Sequence, residues 1–177
     1  MKKDIIITLL IIMLLAVFVL VTDFKSVDEY YLANAENVKE DDAAVSLSIR
    51  CDTVLDNMEK LEPALAPFVP SDGEVLAETE YVLREGDTVF DILVRAAKTH
   101  RIQMEYSGSE KSGTVYVEGI ANLYEFSCGD LSGWTFLVNG ERPQVGASAY
   151  KLRDGDKIEW VYTCELGDDI LQGGAKQ

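Results

Sequence analysis

The sequence predicts an α+β chain of β-grasp type, a small mixed sheet packed on one helix, preceded by an N-terminal transmembrane helix and an acidic stalk. Three observations predict it. An unbroken apolar run, Ile5 to Val21, opens the chain behind Lys2 and Lys3. Strong helical periodicity occurs once, from Thr88 to about Thr99, with short alternating apolar stretches before and after it. The phrase "YVLREGDTVFD", Tyr81 to Asp91, returns as "YKLRDGDKIEW", Tyr150 to Trp160, first leading into that helix and then into the last strand.

The run "IIITLLIIMLLAVFVLV" sits at the lower limit for a membrane-crossing helix, about 17–25 residues. A cleaved signal peptide is the alternative, but the run ends "VLVTDFK", with nothing like an A-x-A cleavage site. Residues 1–22 are therefore read as a signal anchor, with the lysines inside and everything after it outside. Residues 23–44 are acidic and lack sustained amphipathic periodicity, as in a stalk. Residues 45–166 are sized for one domain with one core, and 167–177 for a flexible tail. The net charge of −15 among 177 residues argues against a nucleic-acid partner, since phosphate backbones need a basic footprint. An acidic, self-repelling surface is the simplest use of that charge.

In "VSLSIRC", Val45, Leu47, Ile49 and Cys51 alternate with Ser46, Ser48 and Arg50, the period-two mark of a half-buried strand. "DTVLDNMEKLEPALAPFVPSDG" carries three prolines and reads as a long loop with one short helix. "EVLAETEYVL", Glu74 to Leu83, is a second strand. The helix follows: Val89, Phe90, Leu93, Val94, Ala96 and Ala97 form its apolar face, and Thr88 with Asp91 has the spacing of a capping box. "RIQMEY", "TVYVEGI", "NLYEF", "GWTFLVNG" and "KIEWVYT" then read as strands separated by turn clusters.

The twin phrase is too short to be a structural repeat, which needs similarity along a whole unit. Local geometry explains it instead. An acid-Gly pair supplies the left-handed residue of a tight reversal, and the next Asp accepts backbone N–H groups. At Asp87 these are expected to belong to the helix start, and at Asp156 to the turn opening the last strand. Calcium is not assigned to Glu85, Asp87, Asp154 and Asp156, because the twelve-residue loop with a distal bidentate Glu is missing. No metal ligands are named.

Three pieces in order, "LREGDTVFDIL", "SGWTFLVNG" and "YKLRDGDKIEWVYT", make the stretch from Tyr81 to Thr163 resemble the bacterial transcobalamin-like C-terminal domain family. That family carries a domain-of-unknown-function label of the DUF4430 type and is similar to the cobalamin-contacting β-domain of transcobalamin and intrinsic factor. With strand one included, the resemblance covers about Val45 to Thr163. It implies a membrane-anchored extracellular ligand-binding domain for cobalamin, another corrinoid or another small cyclic ligand, with no cofactor required. Transcobalamins hold the corrinoid between an α/α barrel and the β-domain, and this chain matches only the second. A separate α/α-barrel or transporter partner is therefore implied. The expected location is a single pass in the cell membrane, with the domain on the extracellular side of a Gram-positive bacterium. The β-grasp order also sets the first and last strands side by side and parallel, which implies a disulfide between Cys51 and Cys164 and leaves Cys128 spare.

The ligand-binding candidates are aromatic. Trp134 and Phe136 alternate on one strand and Tyr124 and Phe126 on the one before it, a face suited to stacking on a flat ring. Asn139, in an Asn-Gly turn, and Tyr150 flank the same edge. The plain alternative is that Trp134 and Phe136, like Trp160, face the core. No catalytic residue is assigned: the single histidine, His100, falls at the predicted helix end, where a cation complements the dipole. Two other classes remain beside the ligand-binding one. The first is a cell-envelope protein- or polymer-interaction module. The second is a sulfur-carrier-like β-grasp protein, opposed by the "AKQ" that follows Gly173 and Gly174.

Overall fold

Alternation of apolar and polar residues in β1 (Ala44–Arg50) gives a strand with one dry face, and Val45, Leu47 and Ile49 are buried while Ser46, Ser48 and Arg50 are not. β1 runs antiparallel to β2 (Glu74–Val82) and parallel to β7 (Lys157–Thr163), which pairs antiparallel with β6 (Gly133–Val138). The strand order is β2-β1-β7-β6. These elements belong to a computed structural model that describes Met13, Val38, Lys39 and residues 41–171.

One mixed sheet is expected from the sequence, whereas the described residues make two. The second is antiparallel and holds β3 (Met104–Ser107), β4 (Tyr116–Ile120) and β5 (Leu123–Tyr124). Ala121 and Asn122 both have positive φ, the requirement of a two-residue hairpin turn, and they fold β5 straight back on β4. "NLYEF" was expected as a longer strand, but the strand ends at Tyr124, and after one more bond, Glu125 N–H to Glu118 O at 3.1 Å, the left-handed Phe126, φ 66°, turns the chain away.

The longest described helix starts where the capping box predicts. α1 (Asp52–Leu55) is one short turn, and α2 (Val89–His100) follows the N-cap Thr88. The Thr88 hydroxyl accepts from Asp91 N–H at 3.2 Å, and Asp91 Oδ2 accepts from Thr88 N–H at 2.8 Å. Val89, Phe90, Ile92, Leu93 and Ala96 join the core with the inner faces of β1, β6 and β7. His100 lies in the last turn of α2, as its position in the sequence implies.

The two copies of the repeated phrase make the same turn. Gly86 and Gly155 have φ of 81° and 80°, and Asp87 and Asp156 each accept the N–H of the arginine three residues back, both at 2.8 Å. The helix-start N–H groups expected at Asp87 go elsewhere, because Thr88 caps α2. Instead Asp87 pairs with the buried Arg95, which also donates to the Val82 carbonyl at 3.0 Å. The copies meet in space: Leu152 N–H donates to Asp87 O at 3.0 Å, and Val89 N–H to Tyr150 O at 3.3 Å. Both also reach the head of β1, through Leu83 N–H to Ala43 O and Gly155 N–H to Ala44 O.

Packing bears on two further expectations. The tail expected from 167 onward begins with α3 (Asp168–Leu171), whose Ile170 is buried with Leu137 and Val161 on the outer face of β6 and β7. The expected Cys51–Cys164 disulfide is not shown: Cys51, Cys128 and Cys164 are all buried free thiols. The parallel register pairs Arg50 with Val161, so Cys51 stands level with Tyr162 and Cys164 lies two residues, about 6.6 Å, farther on.

The chain divides into two units, Met1–Ala33 and Asn34–Gln177. Apart from Met13, the predicted anchor lies outside the described residues, as do most of the stalk and the Gly173–Gly174 pair. Among the described residues no helix is long and apolar enough to cross a membrane.

Candidate functional site

The proline-rich segment read as loop contains a 3-10 helix, Pro63–Phe68, that builds one wall of an open cleft. In a 3-10 helix residues three apart share one side, which puts Leu65 and Phe68 together. Glu62 N–H donates to Ser127 O at 3.0 Å and ties this wall to the loop after β5. The cleft has a volume of about 470 Å³. Its opposite wall comes from Asn122, Tyr124, Phe126 and Ser127, and Glu62 and Glu125 place carboxylates at the rim.

Phe126 dominates the rim and lies 62% exposed, with Phe68 at 48%. A non-glycine residue in the left-handed region carries roughly 1–2 kcal/mol of strain. What fixes it there is the hydrogen bonding on either side: Phe126 N–H donates to Ser132 O at 2.9 Å, and Tyr124 N–H to Ser127 Oγ at 3.1 Å. β5 is too short to be held by a ladder alone, and two buried aromatic side chains take its carbonyls. Trp134 Nε1–H donates to Leu123 O at 2.8 Å, and the Tyr162 hydroxyl donates to Tyr124 O at 2.6 Å. These two rings meet edge to face with centroids 5.2 Å apart.

Tyr124 holds its own hydroxyl away from the cleft centre. It donates to Glu105 Oε1 at 2.7 Å and accepts from Gln103 Nε2 at 2.7 Å, and the Glu105 carboxylate raises the phenol pKa. Tyr116 donates to Glu125 Oε2 at 2.7 Å, and that bond pushes its pKa up to about 12. The phenols thus remain neutral donors, and Tyr116 orients the Glu125 carboxylate at the cleft. Gly119 makes room for the Tyr124 ring, since an added Cβ would lie 2.7 Å from it.

The structure divides the aromatic residues singled out in the sequence. Tyr124 and Phe126 line the cleft together. Trp134 and Phe136 are buried on the inner face, and Phe136 packs on Trp160 with ring centroids 5.4 Å apart. Asn139 lies in its turn, where its amide donates to Asp156 Oδ1 at 2.9 Å and accepts from Lys157 N–H at 2.9 Å. Tyr150 is half-buried against the core. Leu65, Phe68 and Asn122 were missed; the signal for the first two was their i, i+3 spacing within "PALAPF".

Two short turns built alike, one before α2 and one before β7, frame a length of fold that can be compared with known families. Residues 86–164 match the model of a family described as a domain of unknown function, DUF4430. The DUF4430 match begins at the glycine of the first turn and ends at Cys164. It takes in the β5 wall of the cleft and leaves β1, β2 and the Pro63–Phe68 wall outside. Among solved structures, haptocorrin in complex with Cbi is similar at 19% identity and a TM-score of 0.48, over 73% of this chain and 27% of that one. The chain thus spans about a quarter of that protein's length. A candidate metal-binding protein from Ruminococcus gnavus ATCC 29149 is similar at 12% identity and a TM-score of 0.40, over 68% of this chain and 95% of that one. No curated protein matches the chain.

Proposed function

We propose that this chain is a non-catalytic, membrane-anchored extracellular ligand-binding domain that takes a flat cyclic molecule on the aromatic cleft between Pro63–Phe68 and β5. One observation carries the reading: Phe126 is held in a strained backbone conformation with its ring largely in water, in the same cleft as the exposed Phe68. Exposed apolar surface and backbone strain both oppose folding, and a stacked ligand removes the first while using the second. The carboxylates of Glu62 and Glu125 favour a neutral or cationic ligand over an anion.

A corrinoid is the first ligand to try, because "LREGDTVFDIL", "SGWTFLVNG" and "YKLRDGDKIEWVYT" resemble the β-domain of transcobalamin. The cleft is open on one side, which fits a separate α/α-barrel or transporter partner covering the other face of the ligand. A second reading, an envelope module binding protein or polymer, draws on the same exposed aromatics. Its route through the sheet edge is less favoured, since the edge strand β2 carries Glu74, Glu78 and Glu80, charges that oppose strand addition.

Titration of the full chain in mild detergent with cobinamide and with cobalamin, followed by the visible corrinoid spectrum, tests the proposal. A saturable shift that Phe126→Ala and Phe68→Ala each weaken at least tenfold is expected. No shift at high micromolar concentration, with or without an α/α-barrel protein added, removes corrinoids from consideration.

A further inference from the structure

Cys128 and Cys164 play no part in the aromatic cleft, yet both are buried and both line a second cleft of about 420 Å³ together with Lys60, Leu131 and Leu166. Cys164 follows the last residue of β7. Cys128 lies in the loop that leads from β5 to β6, two residues after Phe126. Each backbone is fixed: Cys128 N–H donates to Ser132 Oγ at 3.0 Å, and Cys164 N–H to Asp169 Oδ2 at 2.7 Å. The register that pairs Gly133 with Thr163, and the bond from Leu166 N–H to Leu131 O at 3.0 Å, bring the two cysteines to the same end of β6 and β7, where Cys128 Sγ donates to Asn57 O at 3.4 Å and Cys164 Sγ to Thr53 Oγ1 at 3.9 Å. Cys51 stands apart from this pair by the register of β1 on β7.

We propose that in an oxidising compartment Cys128 and Cys164 are joined by a disulfide, leaving Cys51 as the single thiol. The bond would tether the Phe126 loop to the end of β7, fixing the rim of the ligand cleft from below. In the reaction one cysteine thiolate attacks a sulfur of an external disulfide, of the glutathione or thiol-oxidoreductase class, and expels a thiolate. The other cysteine thiolate then attacks the mixed disulfide and expels the second. Two S–H protons are lost, the protein sulfurs are oxidised by two electrons in total, and the external disulfide is reduced to two thiols. Burial pushes the Cys164 thiol up to about 12 and raises that of Cys128, so the folded protein offers little thiolate. The bond forms chiefly while the chain folds, before the thiols are covered.

Refolding the full chain from guanidinium into detergent with a mixture of oxidised and reduced glutathione tests this, followed by blocking with N-ethylmaleimide and peptide mapping without reduction. One Cys128–Cys164 peptide and an alkylated Cys51 are expected. Any linkage through Cys51, a glutathione adduct on Cys128 or Cys164, or alkylation of all three thiols overturns the proposal. Melting curves give a second readout: oxidation raises Tm by about 5–15 °C in the wild type and in Cys51→Ser, and not in Cys128→Ser. An equal rise in Cys128→Ser overturns it as well.

Discussion

Trp134 and Phe126 illustrate two opposite uses of an aromatic ring separated by eight positions of sequence. Trp134 is buried, and its indole N–H donates to the Leu123 carbonyl, so Trp134→Phe removes a buried hydrogen bond. A loss of about 1–3 kcal/mol in urea unfolding is expected. Tyr162→Phe removes the matching bond to Tyr124 O and should cost a similar amount. Phe126 has the reverse signature. Glycine accepts its φ of 66° without strain, so Phe126→Gly should leave stability unchanged or raise it by up to about 1 kcal/mol, while ligand binding falls at least tenfold. Melting and titration on the same sample separate the two roles. A large loss of stability in Phe126→Gly would show that the ring holds the fold together.

Elements tell a similar story of local and non-local causes. The twin turns depend on glycine at φ 81° and 80°, and an added Cβ would meet nothing closer than the Lys151 ammonium 3.9 Å from Gly86, and nothing within 4 Å at Gly155. Gly86→Ala and Gly155→Ala should therefore each cost about 1–2 kcal/mol from backbone strain alone, measured by thermal unfolding. Unequal losses would mean the turns differ in more than sequence position. Thr88→Ala should cost about 1 kcal/mol by removing the cap of α2. The alternation of β1, the capping box and the acid-Gly turns were legible in the sequence because each is fixed within a few residues. The cleft was not. Its left-handed residues are Ala121, Asn122 and Phe126, none of them the glycine that announces such a conformation, and its other wall is a proline-containing 3-10 helix. Bonds to residues distant in sequence, from Trp134, Tyr162, Ser132, Glu62 and Gln103, hold these pieces in place.

For the molecule as a whole, burial of neutral acids in a chain of net charge −15 fixes the direction of its response to alkali. Burial is the first cause that pushes Cys51, Cys164 and Tyr162 each up to about 12, from ordinary values of 9.0 for the thiols and 10.0 for the phenol. Each group holds its proton more tightly in the folded chain than in the unfolded one. Its contribution to stability is therefore complete below pH 9.0 for the thiols and 10.0 for the phenol, and is lost as pH rises toward about 12. In the presence of reductant, Tm should change little between pH 7 and 9 and fall steeply from there to 12. Every further proton lost adds negative charge to a surface already acidic, a repulsion that salt screens over about 10 Å at 0.1 M. Raising salt should recover that part of the loss and leave the part that comes from burial. Tyr162→Phe separates the two, since it removes one titrating group from the core without changing the surface. A Tm that falls in the same way in wild type and in Tyr162→Phe, and recovers fully in salt, would assign the whole alkaline response to surface charge.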